Sequence, residues 1–289
     1  MRGLRYSLTS SDGSLTGRHP LQDLLKGFVL ASIFYEPSTR TSSSFEAAMY
    51  RLGGKVVSIS DVKSSSVSKG ETLEDTVRTL QSYCDILVLR HPEVGAAIKA
   101  AKVLKIPLLN AGDGAGEHPT QALLDAYTIR SELGRLGNLR VALAGDLRHG
   151  RTVHSLARLL DLFEVRMDFV SPDTLSMPES VLNDLISDDY EIHRTLETVL
   201  DKADVIYMTR IQKERFDDLK HYEEVQNSFC ISPELMNLAK PKMIVMHPLP
   251  RVTEIDPRFD ADPRAAYFRQ MENGLFVRMA LLAMTLGKA

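Results

Sequence analysis

The sequence predicts an α/β protein of two doubly wound domains with parallel sheets, joined by hinge helices, with a C-terminal helix packing back on the first domain. Three observations carry this. Short apolar runs alternate with amphipathic stretches along the whole chain, which is the pattern of βα units. The alternation is present on both sides of one long helical stretch near the middle. The 289 residues are enough for two domains with separate cores.

The elements follow in order. FVLASIFY, Phe28 to Tyr35, has the length and apolar content of a buried strand. A helix is expected through SFEAAMYRLG, ending at Gly53, and then a strand in KVVSIS. The hydroxyl-rich patch KSSSVSKG, Lys63 to Gly70, is the one low-complexity segment and reads as a loop. TLEDTVRTLQSY reads as a helix, DILVLR as a strand, and a further helix leads to the strand IPLLNAG. In HPTQALLDAYTIRSELGRLGN, Pro119 suits a first helical position and Gly134 and Gly137 suit a helix end. This is the expected hinge helix. RVALAG, RMDFV, DVIYMTR and MIVMHP are the strands of the second half, and ENGLFVRMALLAMTLG is a final apolar helix with no strand after it. The expected domains are residues 1–130, completed by 272–289, and residues 131–271.

Composition narrows the function. The net charge of −3 offers no basic field for nucleic acid, so an anion site must come from locally clustered arginines. Cys84 and Cys230 form no Cys-x-x-Cys pair and read as reduced thiols of a cytoplasmic protein, although a disulfide is open to them. The eight histidines show no metal-binding spacing, and His149 and His154 stand at the wrong helical offset. No apolar run approaches the roughly 20 residues that span a bilayer, so no membrane partner is expected. MRGLRYSLTS lacks the apolar core of a signal peptide.

Five segments could carry chemistry. In FYEPSTRTSSSFEAA, Ser38, Thr39 and Thr41 bring hydroxyls to a helix start and Arg40 brings a charge, which suits phosphate. A simple capped helix would favour the same residues. Arg90 in RHP ends a strand, where open parallel sheets bind ligands, though a surface arginine would look alike. In NAGDGAGEHPTQ a glycine-rich loop leads to His118 and Gln121, three apart at a helix start; a glycine turn with a capping histidine is the plainer reading. Arg210 and Gln212 in YMTRIQKER again follow a strand, as would residues of a solvated loop. GDLRHGRT, Gly145 to Thr152, differs from the phosphate-loop pattern G-x-x-x-x-G-K-[ST] only in having Arg151 where lysine belongs. Together Arg40, Arg90, Arg151 and Arg210 are expected at strand ends facing a cleft, an arrangement for small, multiply anionic substrates.

In order along the chain, FYEPSTRTSSSFEAAMYRLGG, SKGETLEDT, LRHPE, NAGDGAGEHPTQALLD, GDLRHGRTVHSL, YMTRIQKERF, HPLPRVTEI and DPRAAYFRQMENGLFVRMALL resemble aspartate carbamoyltransferases. The resemblance runs from about Leu24 to the C-terminus and is to the eukaryotic type, including the domain that ends multifunctional pyrimidine-synthesis proteins. It implies transfer of the carbamoyl group of carbamoyl phosphate to the α-amino group of aspartate, with no metal or organic cofactor. By motif, Ser38, Thr39, Arg40 and Thr41 would bind the phosphate. Thr41, Arg90 and His118 would face the carbonyl oxygen, and Gln121 the carbamoyl amino group. Arg151 and Arg210, with Gln212, would hold the two carboxylates of aspartate. Leu249 and Pro250 would offer backbone carbonyls near the reacting amines, across a bond that the family implies is cis. Ser65 and Lys69 would serve the neighbouring subunit's site in a homotrimer. Further pyrimidine-synthesis domains or enzymes are implied as partners, and the chain reads equally as a free-standing enzyme.

GDLRHGRT therefore reads better as a carboxylate-binding helix start than as the loop of a nucleotide hydrolase, because a planar guanidinium binds a carboxylate through two parallel hydrogen bonds and a phosphate loop uses a flexible lysine. The first 20 residues are short and Ser/Gly-rich where the family carries an additional helix, as in a truncated chain or one with a misplaced start codon. Ornithine carbamoyltransferases share the fold, but HPLP in place of HCLP, and the cation at Arg210, point to aspartate. A non-catalytic scaffold should have lost some of these ligands, and all are present.

Overall fold

The computed structural model describes residues 21–59, 70–114, 116–211, 222 and 229–289. The chain divides into two compact units. One takes the residues up to Thr120 together with Glu272–Ala289, and the other is Gln121–Met271.

The first unit is built on four parallel strands, β1 (Val29–Phe34), β2 (Lys55–Ile59), β3 (Ile86–His91) and β4 (Leu108–Asp113), in the spatial order β2-β1-β3-β4. Helices α1 (Thr39–Arg51), α2 (Leu73–Leu80) and α3 (Ala96–Val103) make the crossovers. Successive side chains of β1 point to opposite faces. Leu30 and Phe34 pack with Phe45, Met49 and Leu52 of α1 and its end, and Ala31 and Ile33 pack with Val77, Leu80 and Ala100 on the other side. Both faces are therefore apolar, which is why β1 reads as a continuous run and not as an alternation. Each large apolar side chain buried in this way contributes about 1.5–3 kcal/mol. The sequence around α2 also records its start, since Thr72 Oγ1 accepts the Asp75 amide at 3.1 Å.

The second unit carries five parallel strands, β5 (Arg140–Ala144), β6 (Arg166–Val170), β7 (Tyr190–His193), β8 (Val205–Met208) and β9 (Ile244–Met246), in the order β7-β6-β5-β8-β9. Helix α5 (Arg151–Leu160) and the single turn α6 (Glu179–Leu182) lie between strands. Ala142, Ala144, Ile206, Met208 and Val245 face one core, and Val141, Leu143, Val205, Tyr207 and Met246 the other.

The unit boundary falls inside two helices, α4 (Pro119–Leu133) and α7 (Tyr267–Thr285). Pro119 opens α4 and Gly134 follows it with φ +76°, as the sequence predicts. Helix α7 begins at Tyr267, earlier than the expected Glu272, and its Phe276, Met279 and Leu282 join the core of the first unit. Two details differ from the sequence reading. Strand β4 starts two residues later and ends one residue later than the expected IPLLNAG, so the glycine-rich loop begins only at Gly114. Strand β7 was not foreseen, because its four residues carry no apolar run.

Candidate active site

In each unit the topology defines one special place. From β1 the chain winds to one side of the sheet, and from β3 to the other. The same happens at β5 and β8. Ligands of open parallel sheets bind beyond the carboxyl ends of strands at such a switch point. Ser38–Thr41 follow β1 and Arg90 lies at the end of β3; Arg151 follows β5 and Arg210 follows β8.

In the first unit, Ser38 occupies the N-cap position of α1, but its hydroxyl makes no cap hydrogen bond. Its carbonyl accepts the Ser42 amide at 3.1 Å, so the earlier amides of that turn are the donors a helix cannot satisfy internally. Thr39 and Arg40 are exposed and Thr41 is buried. Arg90 pairs in register with Phe34, its carbonyl accepts the Tyr35 amide, and its Nε lies 3.2 Å from Glu36 Oε2. The approach to His118 is tied to the same strand end. Gly114 donates its amide to the His91 carbonyl at 2.7 Å, and a Cβ at Gly114 would lie 2.2 Å from the Pro92 carbonyl oxygen. Only glycine, at φ +54°, allows these backbones so close. Asp113 then holds the turn, accepting the Glu117 amide at 2.8 Å and the Gly95 amide at 3.0 Å. His118 is buried at the end of this turn.

In the second unit, GDLRHGRT is a strand, a tight turn and a helix. Gly145 has φ +107°, and a Cβ there would lie 2.4 Å from the Thr209 carbonyl oxygen. Thr209 returns the contact, donating its amide and its hydroxyl to the Ala144 carbonyl at 2.8 and 3.0 Å. The turn carrying Arg151 and the strand end carrying Arg210 are thereby fastened to each other. Buried Asp146 accepts the His149 amide at 3.0 Å and shapes the turn, while His154 makes a structural contact to the Leu147 carbonyl at 2.7 Å. Gln121 is buried in the first turn of α4, and its amide nitrogen donates to Asp125 at 2.9 Å. The Leu249–Pro250 peptide is cis, as the resemblance implies, and Leu249 has φ +56°.

The described residues thus place Ser38, Thr39, Arg40, Thr41, Arg90 and His118 in the first unit and Gln121, Arg151, Arg210, Leu249 and Pro250 in the second. Gln212, Ser65 and Lys69 lie outside the described residues. Sequence reasoning passed over Glu36, Asp113, Asp125, Tyr207, His247 and Gln270. All six lie within the stretches that carry the resemblance, but residue type and spacing gave none of them a role. Burial pushes the Tyr207 hydroxyl well above its ordinary range, and the charge of Asp125 adds to this. Burial would also raise the Glu254 carboxyl, but hydrogen bonds from His247 and the backbone hold it below the usual value.

Among the described residues one group has the makings of a cation site, Asp168, Glu191 and His193. Its carboxylates are already engaged by Arg140, at 2.6 Å and 2.8 Å, so it is an ion-pair network on the sheet. Cys84 and Cys230 are free thiols. No helix among the described residues is long and apolar enough to cross a membrane.

Comparison with known proteins gives two family matches. Residues 9–131 match the carbamoyl-P binding domain of aspartate/ornithine carbamoyltransferases, and residues 137–285 match the Asp/Orn binding domain. The chain is 57% identical over 267 residues to the multifunctional protein pyr1-3 of Dictyostelium discoideum, covering 92% of this chain and 12% of that protein's length. It is 51% identical over 268 residues to the aspartate carbamoyltransferase catalytic subunit of Methanopyrus kandleri, covering 92% and 87%. Aspartate transcarbamoylase of Trypanosoma cruzi, solved with N-(phosphonacetyl)-L-aspartic acid, is 52% identical with a TM-score of 0.84, covering 91% of this chain and 84% of that one. The same enzyme has been solved with carbamoyl phosphate and aspartate.

Proposed function

The chain belongs to the aspartate/ornithine carbamoyltransferase family, and we propose that it transfers the carbamoyl group of carbamoyl phosphate to the α-amino group of L-aspartate, giving N-carbamoyl-L-aspartate and phosphate, an early step of pyrimidine synthesis. The observation that carries this is the pairing of cations with switch points. The first unit offers a helix start with Arg40 and, on the adjacent strand, Arg90. The second offers Arg151 and Arg210 just after β5 and β8, the two strands that flank its own switch point. One phosphate and two carboxylates are the anions such a set would hold.

In this reading Ser38, Thr39, Arg40 and Thr41 hold the phosphate of carbamoyl phosphate. Arg90, His118 and Thr41 face its carbonyl oxygen and Gln121 its amino group. Arg151 and Arg210, with Gln212, hold aspartate, and the carbonyls of Leu249 and Pro250 accept from the reacting amines. The aspartate amine adds its lone pair to the carbonyl carbon, and the C=O electrons move onto oxygen. Preorganised donors aimed at that oxygen lower the barrier. The electrons return, the bond to the phosphate oxygen breaks, and the amine proton leaves with the phosphate. No side-chain nucleophile is required, and holding both substrates in place removes much of the entropic cost.

The working molecule in this proposal is a cytoplasmic cyclic homotrimer in which Ser65 and Lys69 serve the neighbouring subunit. Its support is the family motif SKGETLEDT, which holds Lys69 and follows Ser65 by three residues, and, for the compartment, the two free thiols. Membership of a larger pyrimidine-synthesis assembly is in keeping with the multifunctional relative.

The test is a transfer assay with labelled carbamoyl phosphate, offering aspartate and ornithine in parallel. Carbamoyl-aspartate and phosphate should form in equal amounts, and ornithine should yield nothing. Turnover with ornithine and none with aspartate would reject the proposal.

A further inference from the structure

Gln121 and the Leu249–Pro250 loop are distant in the chain, but the interior of the second unit connects them by an unbroken line of hydrogen bonds. Asp125 sits one helical turn after Gln121 and is completely buried. Three neutral groups donate to it: Gln121 Nε2 at 2.9 Å and Gln270 Nε2 at 2.7 Å to Oδ1, and the Tyr207 hydroxyl at 2.7 Å to Oδ2. The carbonyl end of Gln270 accepts the backbone amide of His247 at 2.9 Å. His247 Nδ1 in turn accepts the Leu249 amide at 2.8 Å.

The last of these bonds fixes the tautomer. A ring nitrogen that accepts from a backbone amide carries no proton, so the proton of His247 is on Nε2, which faces Glu254 Oε1 at 3.0 Å. Glu254 Oε2 takes the amides of Val252 and Thr253 at 3.0 and 2.9 Å. The amides of Leu249, Val252 and Thr253 are thus all held by His247 and Glu254. Fixing the amide of Leu249, at its left-handed φ of +56°, fixes where the next carbonyl points.

Such a network is a poor choice for stability alone. Buried carboxylates and imidazoles are often replaced by apolar side chains without loss, because desolvation offsets what their bonds contribute. Their return is a single defined geometry. We propose that Asp125, Gln270 and His247 are positioning residues that hold the Gln121 amide and the Leu249–Pro250 carbonyls in one fixed register. The role rests on the reaction proposed above, in which Gln121 meets the carbamoyl amino group and the loop carbonyls meet the amines.

The experiment uses the full chain and reads kcat, KM for aspartate, carbamoyl phosphate affinity and thermal midpoint. His247→Asn keeps an acceptor at the position of Nδ1, whereas His247→Gln puts its amide where Nε2 was and loses that acceptor. Misplacing the loop carbonyls by about 1 Å should lower kcat about a hundredfold in His247→Gln, with His247→Asn recovering most of the loss. Carbamoyl phosphate affinity should stay near the wild-type value in both. Asp125→Asn combined with His247→Gln should lose no more than the worse single variant, as residues acting as a unit do. A role in folding alone would shift the thermal midpoint without separating Asn from Gln. Equal losses in the two His247 variants, kcat near wild type in a folded His247→Gln, or additive losses in the double variant would each overturn the proposal. Selective ¹⁵N labelling of histidine distinguishes this failure from failure of the functional reading. A wild-type chain inactive with aspartate would remove the reaction, and with it the role in turnover, and a protonated Nδ1 on His247 would remove the wiring.

Discussion

The choice between arginine and lysine at position 151 decides how a whole motif is read. A lysine there would be a point charge on a flexible stem, suited to phosphate; the guanidinium of Arg151 is a fork that matches a carboxylate. Arg210 has the same chemistry at the end of the neighbouring strand β8. In the proposed reaction it faces the side-chain carboxylate of aspartate. Arg210→Ala should therefore lose about 2–5 kcal/mol of transition-state binding, seen as a fall in kcat/KM for aspartate, while carbamoyl phosphate affinity stays unchanged. Normal aspartate kinetics in that variant would remove Arg210 from the site.

The unit of construction at the next scale is the strand, turn and helix. At β5 to α5 this unit depends on one glycine. Gly145 needs both a left-handed backbone and room for the Thr209 carbonyl, which a Cβ would meet at 2.4 Å. Because the obstacle is backbone, no side-chain rotation relieves it. Gly145→Ala should cost more than about 1 kcal/mol in chemical denaturation and displace both Arg151 and Arg210. Raised KM for aspartate should accompany the lower denaturation midpoint. A variant as stable and as active as wild type would show that the turn can move aside.

For the whole molecule, the question is whether one chain makes a complete site. If Lys69 completes the phosphate site of the next subunit, Arg40→Ala and Lys69→Ala should each be nearly inactive. Unfolded together and reassembled, they should recover activity. In a cyclic trimer mixed at random, about three quarters of assemblies are hybrid and about one site in three within them is whole, so about a quarter of wild-type activity should return. Hybrid trimers, detected by mass, with no more activity than the separate variants would rule out a shared site.

Much of this was legible in the sequence, for a physical reason. Strands of a sheet covered on both faces are short continuous apolar runs, as VLASIF shows at β1. The groups that bind small anions sit in the few residues after such strands, so EPSTRT, RHP and GDLRHGRT announce themselves locally. Strand β7 was silent because YEIH pairs at the sheet edge without being buried. Silent too was the network around Asp125, which looks like any acidic residue of a helix. Its partners Tyr207 and Gln270 lie 82 and 145 residues away, and only the packing of α4 and α7 with the second sheet brings them to it. The sequence alone determined the class of fold, the strand-end motifs and the charges they carry, because these depend on neighbours within a few residues. Which buried polar groups meet, and which loop they hold in place, was decided by tertiary structure, because the partners of a desolvated side chain are chosen by where distant elements pack.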